Sequence, residues 1–168
     1  MSRAFVNEDA GKDRPDLPDL PVSAGPNFVT PRGLADLQSR LATRQATLAS
    51  LRTRPDRLDK LPEAAAERDI RWLEARLKSA VVIDPRAHDL TKVAFGLAVT
   101  VADDAGRQTT YEIVGEDEAD APRGRIAPGS PLARALLDAQ VGDVVTWTRP
   151  AGALDLEVVK IAHADPQP

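Results

Sequence analysis

Residues 114–147 read VGEDEADAPRGRIAPGSPLARALLDAQVGDVVTW, and this stretch decides the fold class. Val114 and Gly115 close a strand. Asp117–Gly124 is an acidic loop, and a short strand follows it. Ser130 has the side chain of a good helix N-cap, and Pro131 suits the first helical position, where no N–H is needed. Leu132, Leu136 and Leu137 then fall on one inward face. Val141-Gly142-Asp143 is a turn, and Val144–Thr148 reads as a strand again. Strand, loop, capped helix and strand within 34 residues point to an α+β domain.

Upstream, the alternation in Lys92–Ala102 extends this domain. Val93, Phe95, Leu97, Val99 and Val101 are large and apolar, whereas Ala94, Gly96, Ala98 and Thr100 are small, which predicts a strand with one filled face. Asp103-Asp104-Ala105-Gly106 is a turn, and Arg107–Val114 returns as a second strand. Leu154–Ile161 completes the set, joined to the previous strand through Pro150-Ala151-Gly152. The expected product is a small antiparallel sheet with one helix.

Further upstream the period changes from two to about 3.6. Thr30 and Pro31 open a helix predicted over residues 30–52, with Leu34, Leu37, Leu41, Leu48 and Leu51 on a narrow stripe. Gly33 in its first turn is a small cost in helicity. A second helix, from Pro62 to about Ala80, carries Ile70, Leu73, Leu77 and Ala80 on a matching stripe. Two such helices with a short connection predict an antiparallel hairpin. Residues 1–27 contain Pro15-Asp16-Leu17-Pro18-Asp19-Leu20-Pro21, a small repeat that favours extended polyproline-type backbone, and a disordered arm is expected there. The expected organisation is therefore an arm (1–27), a helical hairpin (28–81) and an α+β domain (82–168).

Composition narrows the function classes. The 168 residues include no cysteine, which excludes disulfides and thiolate metal sites, and only 4% are aromatic. No apolar run approaches the ~20 residues that span a bilayer, so a soluble, cytoplasmic protein with no membrane partner is expected. Charge is uneven: residues 31–80 hold 11 basic and 7 acidic groups, and residues 81–168 hold 8 and 14. A basic middle beside an acidic end favours a negatively charged partner for the middle, or a solvated helix face. His88 and His163 lack ligand spacing and read as surface residues. Trp72 and Trp147 read as packing residues. Gly129-Ser130-Pro131 is no nucleophile elbow, because no His or acid is placed to serve the serine.

Three pieces, in this order, carry a resemblance over residues 28–162: Phe28–Leu34; Val93-Ala94-Phe95-Gly96 with Ile113-Val114-Gly115; and Ile126–Leu137 followed by Val141-Gly142-Asp143. Together they resemble the Gre family of bacterial transcript-cleavage factors. The resemblance implies an FKBP-like C-terminal domain that binds RNA polymerase at the rim of its secondary channel, and a coiled coil that enters the channel. It places the docking contact at Gly129, Ser130, Pro131 and Leu132. In the cleavage factors an acidic tip, of Gly-Asp-x-Ser-Glu-Asn-Ala type, supports a metal ion at the polymerase active centre, which then hydrolyses backtracked RNA.

This chain has no such run. Its tip offers Arg52, Arg54, Asp56, Arg57, Asp59 and Lys60 instead. Asp56 and Asp59 are the only acidic pair near the turn; Asp in a turn more often bonds its own backbone than a metal. The arginines could meet RNA or nucleotide phosphates. The expectation is a monomeric, non-catalytic regulator of elongation with no cofactor or metal of its own. The alternatives are a true cleavage factor using Asp56 and Asp59, or an interaction protein like the short-armed relative that regulates nucleoside diphosphate kinase.

Overall fold

The computed structural model describes Pro15, residues 17–56 and residues 58–164. Most of the expected disordered arm, residues 1–14 and Asp16, and the tip residue Arg57 lie outside the described residues. Among the described residues, no helix is long and apolar enough to cross a membrane. The chain forms two compact units, one of Leu37–Lys78 with the arm up to Ala24, the other of Gly25–Asp36 with the residues from Ser79 onward.

In the first unit, helix α1 (Pro31–Thr53) supplies its length beyond Leu37, and α2 (Leu61–Ser79) supplies the second arm. Both helices start within a residue or two of a proline, as expected from its lack of an N–H and its fixed φ. The cross-helix pairs fix the direction. Arg44 meets Asp69 at 3.2 Å and Arg52 meets Glu67 at 2.8 Å, so rising numbers on α1 meet falling numbers on α2. The helices are antiparallel. Leu37, Leu48, Ala64, Ala66 and Leu73 are buried, whereas Leu41, Leu51, Ile70 and Leu77 are half-buried. Each fully buried Leu contributes about 1.5–3 kcal/mol. Residues 17–24 have no regular secondary structure.

In the second unit, β1 (Asn27–Val29) pairs in parallel with β2 (Ala80–Val82). Residues 28–36, placed with the hairpin from the sequence, group here because of this ladder and the bonds to Thr30 described below. The main sheet holds β3 (Leu97–Ala102), β4 (Gln108–Ile113), β5 (Arg125–Ile126), β6 (Val144–Trp147) and β7 (Leu154–His163). Its order is β5-β4-β3-β7-β6. All neighbours are antiparallel except β4 and β5, so the sheet is mixed rather than wholly antiparallel.

Strand β3 is central, and its alternation places Leu97, Val99 and Val101 in the core with Ile113, Val158 and Leu136, all at most 1% exposed. β7 breaks alternation: Leu156, Val158 and Ile161 are buried. The cause is a bulge, since Thr100 pairs with Lys160 but Val101 pairs with Val158. The extra residue resets the face.

The strand expected from Lys92 begins only at Leu97. Gly96 has φ +82°, and a Cβ there would strike the Pro85 ring. This left-handed residue turns the chain. Val93 instead exchanges backbone bonds with the end of helix α3 (Pro131–Leu136), accepting from Asp138 N at 2.9 Å and donating to Ala139 O at 2.8 Å. Val93 and Phe95 are buried all the same.

Candidate functional site

The hairpin tip is built from two proline-bracketed turns. The Asp56 carboxylate accepts from Leu58 N at 3.1 Å, and that of Asp59 accepts from Leu61 N at 2.9 Å. Each acid therefore bonds its own backbone two residues on, the Asx turn favoured for Asp at such positions. Asp59 in this way covers an orphan N–H at the start of α2. Arg52 is tied to Glu67 across the hairpin. Arg54 Nε donates to Leu51 O at 3.5 Å, at the long limit of a hydrogen bond. Leu58 is 93% exposed, so an apolar side chain stands at the apex beside the charges.

At the opposite end of the candidate set, Ser130 caps α3 as its sequence position predicts. Its Oγ accepts from Ala133 N at 3.2 Å, and its carbonyl accepts from Arg134 N at 3.0 Å. Gly129 and Pro131 are exposed, with open space where a Gly129 side chain would stand. Leu132 is 3% exposed and packs in the core with Ala133 and Leu136. The four residues implied as a docking loop thus divide: Gly129, Ser130 and Pro131 offer surface, and Leu132 anchors the turn from behind.

A third cluster was not singled out in the sequence. Glu118, 7% exposed, accepts from Thr30 Oγ1 at 2.6 Å, from Thr30 N at 3.1 Å and from Gly115 N at 3.2 Å. Thr30 Oγ1 in turn accepts from Gly33 N at 3.0 Å. This is the logic of a capping box, in which a Glu at the third helical position normally bonds the cap residue's N–H. Here that third position is Gly33, and the carboxylate comes from 88 residues away. Gly33 leaves room for this carboxylate, because a Cβ there would overlap the Glu118 carboxyl and force it to shift. Arg32 adds charge: Nη2 lies 3.0 Å from Glu112 and 3.7 Å from Glu118. Gly33 beside a good cap was a visible signal, but nothing in the sequence names its distant partner.

The sheet unit therefore joins a capped α3, a mixed five-stranded sheet and a buried acid that receives a helix start. The family model described as "Transcription elongation factor, GreA/GreB, C-term" matches residues 87–163. Residues 87–163 are thus similar to the C-terminal domain of the Gre family.

Among relatives of this chain, the transcription elongation factor GreA of Alkalilimnicola ehrlichii is 41% identical over 104 residues, which cover 61% of this chain and 66% of that one. GreA of Hyphomonas neptunium is 46% identical over 92 residues, covering 54% and 59%. GreB of Neisseria meningitidis serogroup B is 41% identical over 98 residues, covering 58% and 60%. The chain thus spans just under two thirds of the length of the curated relatives it matches. Among solved structures, it is 25% identical to GreA factor homolog 1 (Gfh1) of Thermus thermophilus, covering 80% of this chain and 97% of that one, with a TM-score of 0.38.

Proposed function

We propose that this chain is a Gre-family transcription elongation factor that binds RNA polymerase but does not strongly stimulate transcript cleavage. It docks through the sheet domain, with Gly129, Ser130 and Pro131 at the contact, and its hairpin enters the secondary channel. It acts in the cytoplasm as a monomer and has no catalysis, metal or cofactor of its own. The likeness to Gre-family elongation factors supports the polymerase as partner, and the family match over residues 87–163 supports the sheet domain as the anchor.

One observation carries the non-cleaving half. Asp56 and Asp59 each commit a carboxylate oxygen to the backbone of their own turn. A divalent ion needs hard oxygen ligands held to within ~0.2 Å. Two acids fastened in successive turns, in a sequence with Arg52, Arg54, Arg57 and Lys60, make a cationic tip rather than a metal-supporting one. Such a tip suits contact with RNA or nucleotide phosphates in the channel, an attraction that weakens with salt.

The test is a halted, backtracked elongation complex incubated with the chain. The transcript should keep its 3′ end for as long as it does without the chain, while the chain displaces a cleavage-competent Gre factor added beside it. Rapid shortening from the 3′ end, lost in Asp56→Ala or Asp59→Ala, would overturn the reading in favour of a true cleavage factor. Recovery of another protein from lysate without the large polymerase subunits would overturn the docking half.

A further inference from the structure

The arm is read by the hairpin. Residues 17–22 run without regular secondary structure, yet Leu17 and Leu20 are half-buried while Pro18, Asp19 and Pro21 are exposed. A spacing of three is one turn of polyproline II helix, so both leucines fall on one face. Leu20 forms one wall of a cleft of about 430 Å³ whose other walls are Arg40, Thr43 and Arg44 of α1 and Asp69, Trp72 and Leu73 of α2.

Two further contacts hold the flanking residues, and a third positions the ring that makes one of them. Arg71 Nε and Nη2 both lie 2.8 Å from Asp19 Oδ1. Trp72 Nε1 donates to the carbonyl of Pro21 at 3.2 Å. The Arg40 guanidinium lies 5.5 Å from the centre of the Trp72 ring and holds that ring from the other arm of the hairpin. An acid, an aliphatic side chain and a prolyl carbonyl are therefore each met by a matching group. This is how aromatic-lined grooves recognise extended proline segments: the backbone is already ordered, so little entropy is lost on binding.

The arm holds this unit twice. Asp16-Leu17-Pro18 repeats Asp19-Leu20-Pro21 at a distance of one polyproline turn, about 9 Å. A slip of one turn would bring Leu17 to the cleft and the Pro18 carbonyl to Trp72.

We propose that the hairpin face around Trp72 is a binding site for an extended Asp-Leu-Pro segment, held in cis by the chain's own arm in either of two registers. The site needs no polymerase and stands whether or not the chain stimulates cleavage. The tether keeps the arm near the cleft at an effective concentration in the millimolar range, so a peptide in trans competes only when the arm is disabled.

The indole N–H resonance of Trp72 in the full chain reports occupancy, and its loss in Trp72→Phe assigns it. Leu20→Ser should keep about half or more of the bound shift, because Leu17 takes over. Leu17→Ser with Leu20→Ser should move the resonance to a new, free position with helix content unchanged by circular dichroism. The peptide Pro-Asp-Leu-Pro-Asp-Leu-Pro, added to this double variant at millimolar concentration, should return it. Complete release by Leu20→Ser alone would overturn the two registers. No movement in the double variant, or no return with peptide, would overturn the site. A dimer in sedimentation that the double variant abolishes would overturn occupancy in cis.

Discussion

The hairpin tip and the cap of α1 use the same functional group in opposite ways. At the tip, Asp56 and Asp59 bond backbone two residues away, at exposed positions. At the cap, Glu118 is buried and bonds two donors of Thr30 from 88 residues away. The first kind of bond shapes a turn that water could serve almost as well. The second cannot be replaced by water without opening the domain, because a buried N–H left unpaired costs about 1–3 kcal/mol. Carboxylates near a functional surface are therefore not equivalent, and the one with the larger structural role is the one outside the tip.

The largest expected effect breaks the cap. Glu118→Ala leaves Thr30 N, Thr30 Oγ1 and Gly115 N without their acceptor. Partial entry of water limits the loss to roughly 3–5 kcal/mol. Denaturant unfolding of the variant should show it as a lower midpoint, and a loss under about 1 kcal/mol would mean that the distant capping box does not hold.

Gly33→Ala comes next and has the sharper sign. Helix propensity alone predicts a gain of about 1 kcal/mol from this change. Overlap of the new Cβ with the Glu118 carboxyl should instead give a loss of about 1–3 kcal/mol. A raised melting temperature would show that the carboxylate can step aside.

At the tip the effects shrink. Asp56→Ala and Asp59→Ala should each change stability by about 0.5 kcal/mol or less, as for most exposed positions. Thermal scans of the two variants check this, and a loss as large as that of Glu118→Ala would erase the contrast between the regions.

The smallest effect is a pH dependence at Asp103, a third carboxylate that closes the turn between β3 and β4. Hydrogen bonds from the Arg107 backbone and side chain lower its pKa below the ordinary carboxylate value, against a smaller opposing effect of burial. A folded pKa below the unfolded one gives stability that is full above the unfolded value and lost as pH falls through the folded one. The difference between wild type and Asp103→Asn should therefore narrow as pH drops from about 5 through the carboxylate range. A constant difference between pH 6 and pH 2 would assign the turn to neutral hydrogen bonds alone.

What could be read in the sequence follows the range of the interactions. Ser130 and Pro131 announce the start of α3 because the cap bond closes within three residues. The alternation from Leu97 to Val101 marks a core face for the same local reason, and the leucine stripes mark the hairpin. The Asp turns at the tip were legible from residue type. The strand start was misplaced at Lys92 because alternation does not report backbone handedness; only Gly96 hinted at the turn.

The three-residue strands β1 and β2 are too short to show any period, and the sheet acquires its parallel pair through β5, which has only two residues. The cleft that Leu20 shares with Arg40 and Trp72 was invisible, since a Pro-rich repeat looks the same whether or not it has a surface to lie on. Glu118 lay inside an acidic loop that reads as solvated charge; its burial depends on a Thr far upstream.

That separation also has a consequence in time. A ribosome adding about 5–20 residues per second makes Glu118 roughly 4–18 s after Thr30. Until then the Thr30 N–H and hydroxyl, which hold the cap that receives Gly33 N, have only water in place of the carboxylate. The start of α1 is thus secured only once Glu118 has been made, and its order on the ribosome arrives from the C-terminal side.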